Sequence, residues 1–138
     1  MITFEPAAVH VLAARAEGRL TRDDIQTFVS ELDDKLAHHE TIGIVTDVTR
    51  LDGMTLAAVA EDFRAELKYL GEWERFPKMA MIAADGFLKT AAETFGAMLP
   101  QIELRVFAPH EREEAFAFAA GAGNKAPGGR REAGSAAG

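Results

Sequence analysis

Cysteine is absent from the 138 residues. Its absence excludes disulfides, thiolate metal sites and a cysteine nucleophile, and it suits a reducing compartment. Aromatic residues are scarce, with one Trp and one Tyr beside nine Phe. The apolar runs are far too short to span a bilayer. Residues 1–6 read MITFEP and lack the basic stretch and apolar core of a signal peptide. The expected location is therefore the cytoplasm. Basic residues are outnumbered, 15 Lys and Arg against 22 Asp and Glu, for a net charge of −7. Lys125, Arg130, Arg131 and Glu132 contribute +2 of that, which leaves −9 on residues 1–120. Such a body repels phosphate backbones and anionic lipid alike, so no nucleic-acid partner is expected.

Phosphate-binding patterns are missing too. Gly53 and Gly86 stand alone, and neither G-x-G-x-x-G nor a Walker sequence occurs. No G-x-S-x-G elbow presents a serine. His38 and His39 are neighbours, so on a helix they diverge by about 100° and do not share a metal. His10 alternates with the inward strand residues, and His110, near the rim, has no obvious partner. No cofactor, no metal and no catalysis are expected.

What remains is a regular alternation of two hydrophobic periods. Residues 8–16 (AVHVLAARA) are strand-like, with Val9, Val11 and Ala13 on one face. Thr21 is placed to cap a helix whose first turn holds Asp23 and Asp24. Ile25, Phe28, Val29, Leu32 and Leu36 then recur at helical spacing. Residues 42–48 (IGIVTDV) read as a buried strand, closed by Asp47 and followed by a loop over 49–54. A long helix is expected from Thr55 and is stopped by Pro77. Residues 79–84 read as a third strand, 86–99 as a helix and 102–107 as a fourth strand. Pro109 opens a last helix with Ala115, Phe116 and Ala119 inward. Strands separated by helices imply parallel pairing, and near-continuous apolar strands imply helices on both faces. A short strand over 2–4 is expected to pair antiparallel at an edge. The fold class is thus α/β, a mostly parallel four- to five-stranded sheet with about four helices. The domain spans 1–120, and 121–138 reads as a flexible Gly/Ala/Arg tail.

Open parallel sheets bind ligands beyond the carboxyl ends of their strands. Asp47, Thr49, Thr55 and Asp85 are expected at that rim. Asp47 and Asp85 could form an acid–base pair, but helix and loop capping account for both. Residues 69–77 (YLGEWERFP) hold the only Trp and Tyr. An aromatic helix end of this kind can cover an apolar cavity or touch a membrane interface. Leu56, Phe63, Leu67, Trp73, Phe76, Phe87 and Phe95 are the expected ligand-lining residues.

The residues GRLTRDD at 18–24, DVT at 47–49 and those at 57–63 resemble the SpoIIAA-like family. So do residues 76–85, the LRVF at 104–107 and the EEA at 113–115. The resemblance covers about residues 1–120 and implies a STAS-like sheet with a kinship to CRAL-TRIO lipid-transfer domains. It implies an apolar or membrane-associated ligand and no catalysis. In STAS antagonists of anti-sigma factors a phosphorylatable Ser follows an Asp at a helix start. Here Asp52-Gly53-Met54-Thr55 puts Thr55 at that place, without the Asp-Ser-Ser-Gly pattern. Two functions follow. One is a binding domain for an apolar or lipid-like small molecule. The other is a regulatory module that docks a protein through residues 47–55. Peripheral membrane contact and a homodimer stay open as further partners.

Overall fold

The computed structural model describes residues 1–51, 61, 64–65, 75, 77–84, 93 and 102–121. Five strands form one sheet in the order β1 (Ile2–Glu5), β2 (Val11–Gly18), β3 (Gly43–Leu51), β4 (Lys78–Ile82) and β5 (Glu103–Phe107). β1 pairs antiparallel with β2 at the edge, and every other pair is parallel. Helix α1 (Arg22–Leu36) joins β2 to β3, and helix α2 (Arg112–Ala120) follows β5 after a 3-10 turn at Pro109–Glu111. Two α-helices thus lie among the described residues, against about four expected. The expected helices over 55–76 and 86–99 fall outside those residues, apart from Glu61, Arg64, Ala65 and Glu93, which are α-helical, and Arg75, which is in a 3-10 turn. The expected tail beyond residue 121 also lies outside them.

Local chemistry starts α1. The Thr21 hydroxyl accepts the Asp24 N–H at 3.2 Å, and the Asp24 carboxylate accepts the Thr21 N–H at 3.0 Å. This reciprocal pair satisfies two amides that have no partner within the helix. The Thr21 N–H, donating to the Asp24 carboxylate, is the main cause of that group's lowered pKa. The far end of α1 is closed from a distance. The Arg75 guanidinium donates to the carbonyls of Leu36, His39 and Glu40. A cation there also suits the negative end of the helix dipole.

The two faces of the sheet are covered by different helices. Ile25, Phe28, Leu32 and Leu36 of α1 pack on Leu12, Ala14, Ile44, Met79 and Met81. Ala115 and Ala119 of α2 pack on Val11, Ala13, Val45, Ala80 and Ile82. Small residues let α2 lie close. A Cβ on Gly43 would sit 1.9 Å from the Ala119 carbonyl oxygen. His10 Nε2 lies 2.7 Å from the Ala120 carbonyl oxygen at the other side of this contact.

Three local expectations need correction. Val9 is not on a strand: it lies in the turn between β1 and β2 and is 72% exposed. The Val11 N–H donates to the Ala8 carbonyl across that turn at 2.9 Å. The loop expected at 49–54 begins later, because β3 continues to Leu51. Asp47 therefore sits mid-strand and does not close it. Beyond Asp47 the register with β2 shifts, since Arg15 faces Asp47 but Glu17 faces Arg50. β3 carries one extra residue there, as in a β-bulge.

Candidate functional site

Side chains alternate across a strand, so Thr46 and Asp47 of β3 face opposite sides of the sheet. Each side holds its own constellation.

On the α1 side an apolar pocket of about 40 Å³ opens above the middle of the sheet. Its floor is Ala14 and Ala16 of β2, Thr46 and Val48 of β3, and Met79 and Met81 of β4. Ala14, Thr46 and Met81 are aligned in register across three strands. Ile2, Leu20, Ile25 and Phe28 form its walls. Two alanines in β2 leave the space that larger side chains would fill. Phe28 is steadied by stacking on Phe4, with ring centroids 6.4 Å apart. Ile2, Thr46 and Val48 are only half-buried. The Thr46 Oγ1 atom itself is buried and has no hydrogen-bond partner among the described residues. Leaving a hydroxyl in that state costs about 1–3 kcal/mol.

A buried water usually needs about three polar partners. The surface facing the pocket is apolar, and the buried Thr46 Oγ1 is not exposed to it. Carbon is the better filling. Met79 and Met81 are unbranched, and such side chains adapt readily to an occupant.

On the α2 side four charges converge. The Asp47 carboxylate takes the Arg112 guanidinium at 3.0 Å and lies 3.8 Å from Arg15 Nε. Glu5 on β1 takes Arg15 at 2.8 Å and is also ion-paired with Arg112. The other Asp47 oxygen accepts the Thr49 N–H at 3.0 Å and its hydroxyl at 2.6 Å. Asp47 is 5% exposed. Two arginines facing two carboxylates form a neutral group that ties the edge strand and β3 to the first turn of α2. Both oxygens of the Asp47 carboxylate are engaged by protein groups.

Of the expected rim, Asp47 and Thr49 are therefore close together but committed to each other and to Arg112. Thr55 and Asp85 lie outside the described residues, as do Leu56, Phe63, Leu67, Trp73, Phe76, Phe87 and Phe95. Crevices at strand ends form where the strand order reverses. Here the order runs β1 to β5 without reversal, and the described pocket lies on a sheet face. Sequence reasoning missed Glu5, Arg15, Thr46 and Arg112. The one available signal was a charged or polar residue inside apolar strands, as at Arg15 and Thr46.

The sequence model of the SpoIIAA-like family matches residues 11–120. The chain belongs to the SpoIIAA-like family, within the STAS group of folds. Among solved structures it is similar to a DUF3478-family protein from Shewanella loihica PV-4, described as uncharacterized and with a SpoIIAA-like fold. The two are 26% identical, with a TM-score of 0.62, over 86% of this chain and 92% of the other. No curated protein matches. Domains of this fold are regulatory or binding domains, are generally non-enzymatic and commonly mediate protein interactions. No helix among the described residues is long and apolar enough to cross a membrane.

Proposed function

We propose that this chain is a non-catalytic binding domain that takes the apolar end of a small molecule into the pocket between α1 and strands β2–β4. The observation that carries this reading is the pocket itself. The surface it presents is apolar throughout, and Ala14 and Ala16 are among its small lining residues. The neutral charge cluster on the opposite face supports it from another side, since the buried carboxylate there is engaged. The described pocket, about 40 Å³, takes a slim group. A lipid-length occupant needs further walls, and the proposed contributors are Leu56, Phe63, Leu67, Trp73, Phe76, Phe87 and Phe95.

Xenon tests the pocket directly, because dry apolar cavities take it up. Methyl NMR signals of Ile25, Val48 and Met79 should shift on xenon pressurisation of the wild-type chain. Ala14→Leu, which fills the space, should abolish those shifts. Equal shifts in both proteins, or none in the wild type, would refute the pocket. Native mass spectrometry of freshly purified protein then reports any small molecule it carries.

A second reading rests on family membership: a regulatory module docking a protein through residues 47–55. Its test is recovery of a partner by wild type against Thr55→Glu. Equal recovery argues against a phosphate-controlled switch at Thr55.

A further inference from the structure

We infer that the outer edge of β5 joins a second copy of this chain, so that two sheets continue as one across a two-fold axis at Leu104. β5 ends the strand order, and among the described residues no strand lies beyond it. The Glu103 N–H donates to the Pro77 carbonyl at 2.8 Å, and the Ala83 N–H donates to the Phe107 carbonyl at 3.0 Å. Backbone groups of successive strand residues turn to opposite edges, so those of Glu103, Arg105 and Phe107 serve β4. Leu104 and Val106 therefore turn their N–H and C=O outward. A second, antiparallel β5 with Leu104 opposite Leu104 takes these groups in hydrogen-bonded pairs, Leu104 with Leu104 and Val106 with Ile102. The same register sets Glu103 against Arg105 of the second copy on both sides of the axis. These are the pairs without hydrogen bonds, where side chains come closest.

The side chains favour this register. Glu103 and Arg105 are exposed, and neither has an ion pair among the described residues. Lys78 lies opposite Glu103 on β4, but its ammonium sits over the Phe118 ring at 4.9 Å. The Arg105 guanidinium lies 5.2 Å from the Phe118 ring and 5.4 Å from that of Phe107, which leaves it less rotamer freedom to lose on association. A slip of two residues sets Arg105 against Arg105, and like charges directly opposite repel. Open edges are commonly guarded by charge, because they invite pairing. A guard of one sign repels a copy of itself. Here opposite signs flank Leu104, and a two-fold axis makes them complementary. The pocket lies between α1 and strands β2–β4, away from this edge.

Sedimentation velocity on the full chain, from micromolar to millimolar concentration, reads the association. The wild type should pass from monomer to dimer over that range, since a contact of one strand pair is small and weak. Glu103→Arg and Arg105→Glu each set like charges in both cross-strand pairs and should weaken the dimer about tenfold. An equimolar mixture of those two variants places opposite charges in both pairs again. Native mass spectrometry should then show the mixed dimer in preference to either variant's own. The variant with both substitutions exchanges the charges and should dimerise like the wild type, which keeps the test decisive if either single variant fails to fold. A wild type that stays monomeric at millimolar concentration overturns the inference. So does a dimer that both single variants retain at wild-type strength, a mixture with no preference for the mixed dimer, or loss of the dimer in the folded double variant. None of these outcomes bears on the pocket.

Discussion

Replacing Asp47 by asparagine keeps the side chain's shape and removes one charge from the group beneath α2. The carboxamide oxygen of the variant can still accept the Thr49 amide, as the Asp47 oxygen does at 3.0 Å. Its amide nitrogen, however, would face the Arg112 nitrogen that now donates at 3.0 Å. Donor would meet donor, and two arginines would share Glu5 alone. Breaking a fully buried ion pair costs about 3–5 kcal/mol, and an exposed one about 0–1 kcal/mol. Here the Asp47 side chain is 8% exposed and the Arg112 side chain 37% exposed. The case lies between the limits, at about 2 kcal/mol. In a chain of this size the midpoint of thermal unfolding should fall by roughly 6 °C. Urea unfolding of Asp47→Asn, Arg112→Met and the double variant measures the loss and the coupling between the two residues. The coupling should exceed about 1 kcal/mol and should weaken only modestly in high salt, because burial limits screening. A loss under about 0.5 kcal/mol, or additive single variants, would refute the argument that these charges hold the edge strand and α2 together.

Thr46→Val should stabilise the ligand-free chain by about 1 kcal/mol, since it removes a buried hydroxyl without a partner among the described residues. Urea unfolding checks the sign, and a loss of stability would mean that the hydroxyl is already satisfied. Gly43→Ala should cost about 3 kcal/mol or prevent folding, because the new methyl would meet the Ala119 carbonyl oxygen at 1.9 Å. Circular dichroism and urea titration read the outcome, and a neutral effect would show that α2 moves away freely. Asp24 has a folded-state pKa below its unfolded one, chiefly through the Thr21 N–H. Its contribution is present above the unfolded value, near 3.8, and is lost as pH falls through the lower folded value. Asp24→Ala should cost about 1 kcal/mol at neutral pH and flatten the acid side of the stability curve. An unchanged acid limb would contradict the cap's electrostatic role.

Some of this is legible in the sequence because its causes are local. Thr21 and Asp24 stand three residues apart, so the cap and its capping box follow from spacing alone. The apolar strands and the α1 stripe follow from side-chain period. Parallel pairing follows from the order of elements, and helices on both faces from the near-continuous apolar strands. Val9 is misplaced by periodicity because alternation continues past the real strand end into a turn, where backbone geometry decides. Asp47 is misplaced because an extra residue in β3 lengthens the strand, and nothing in residues 48–51 announces a bulge.

Other features belong to the tertiary structure only. Arg112 meets Glu5 across 107 positions of chain, and Arg75 closes a helix that ends at Leu36. No period or motif encodes such meetings, because they arise when strands align in register and a helix lands on them. The pocket has the same origin. Residue period sets which residues of β2 and of β3 share a face within each strand, and pairing puts Ala14 beside Thr46. Strand register and the placement of α1 then bring them under Ile25 and Phe28, leaving an apolar space that carbon can fill.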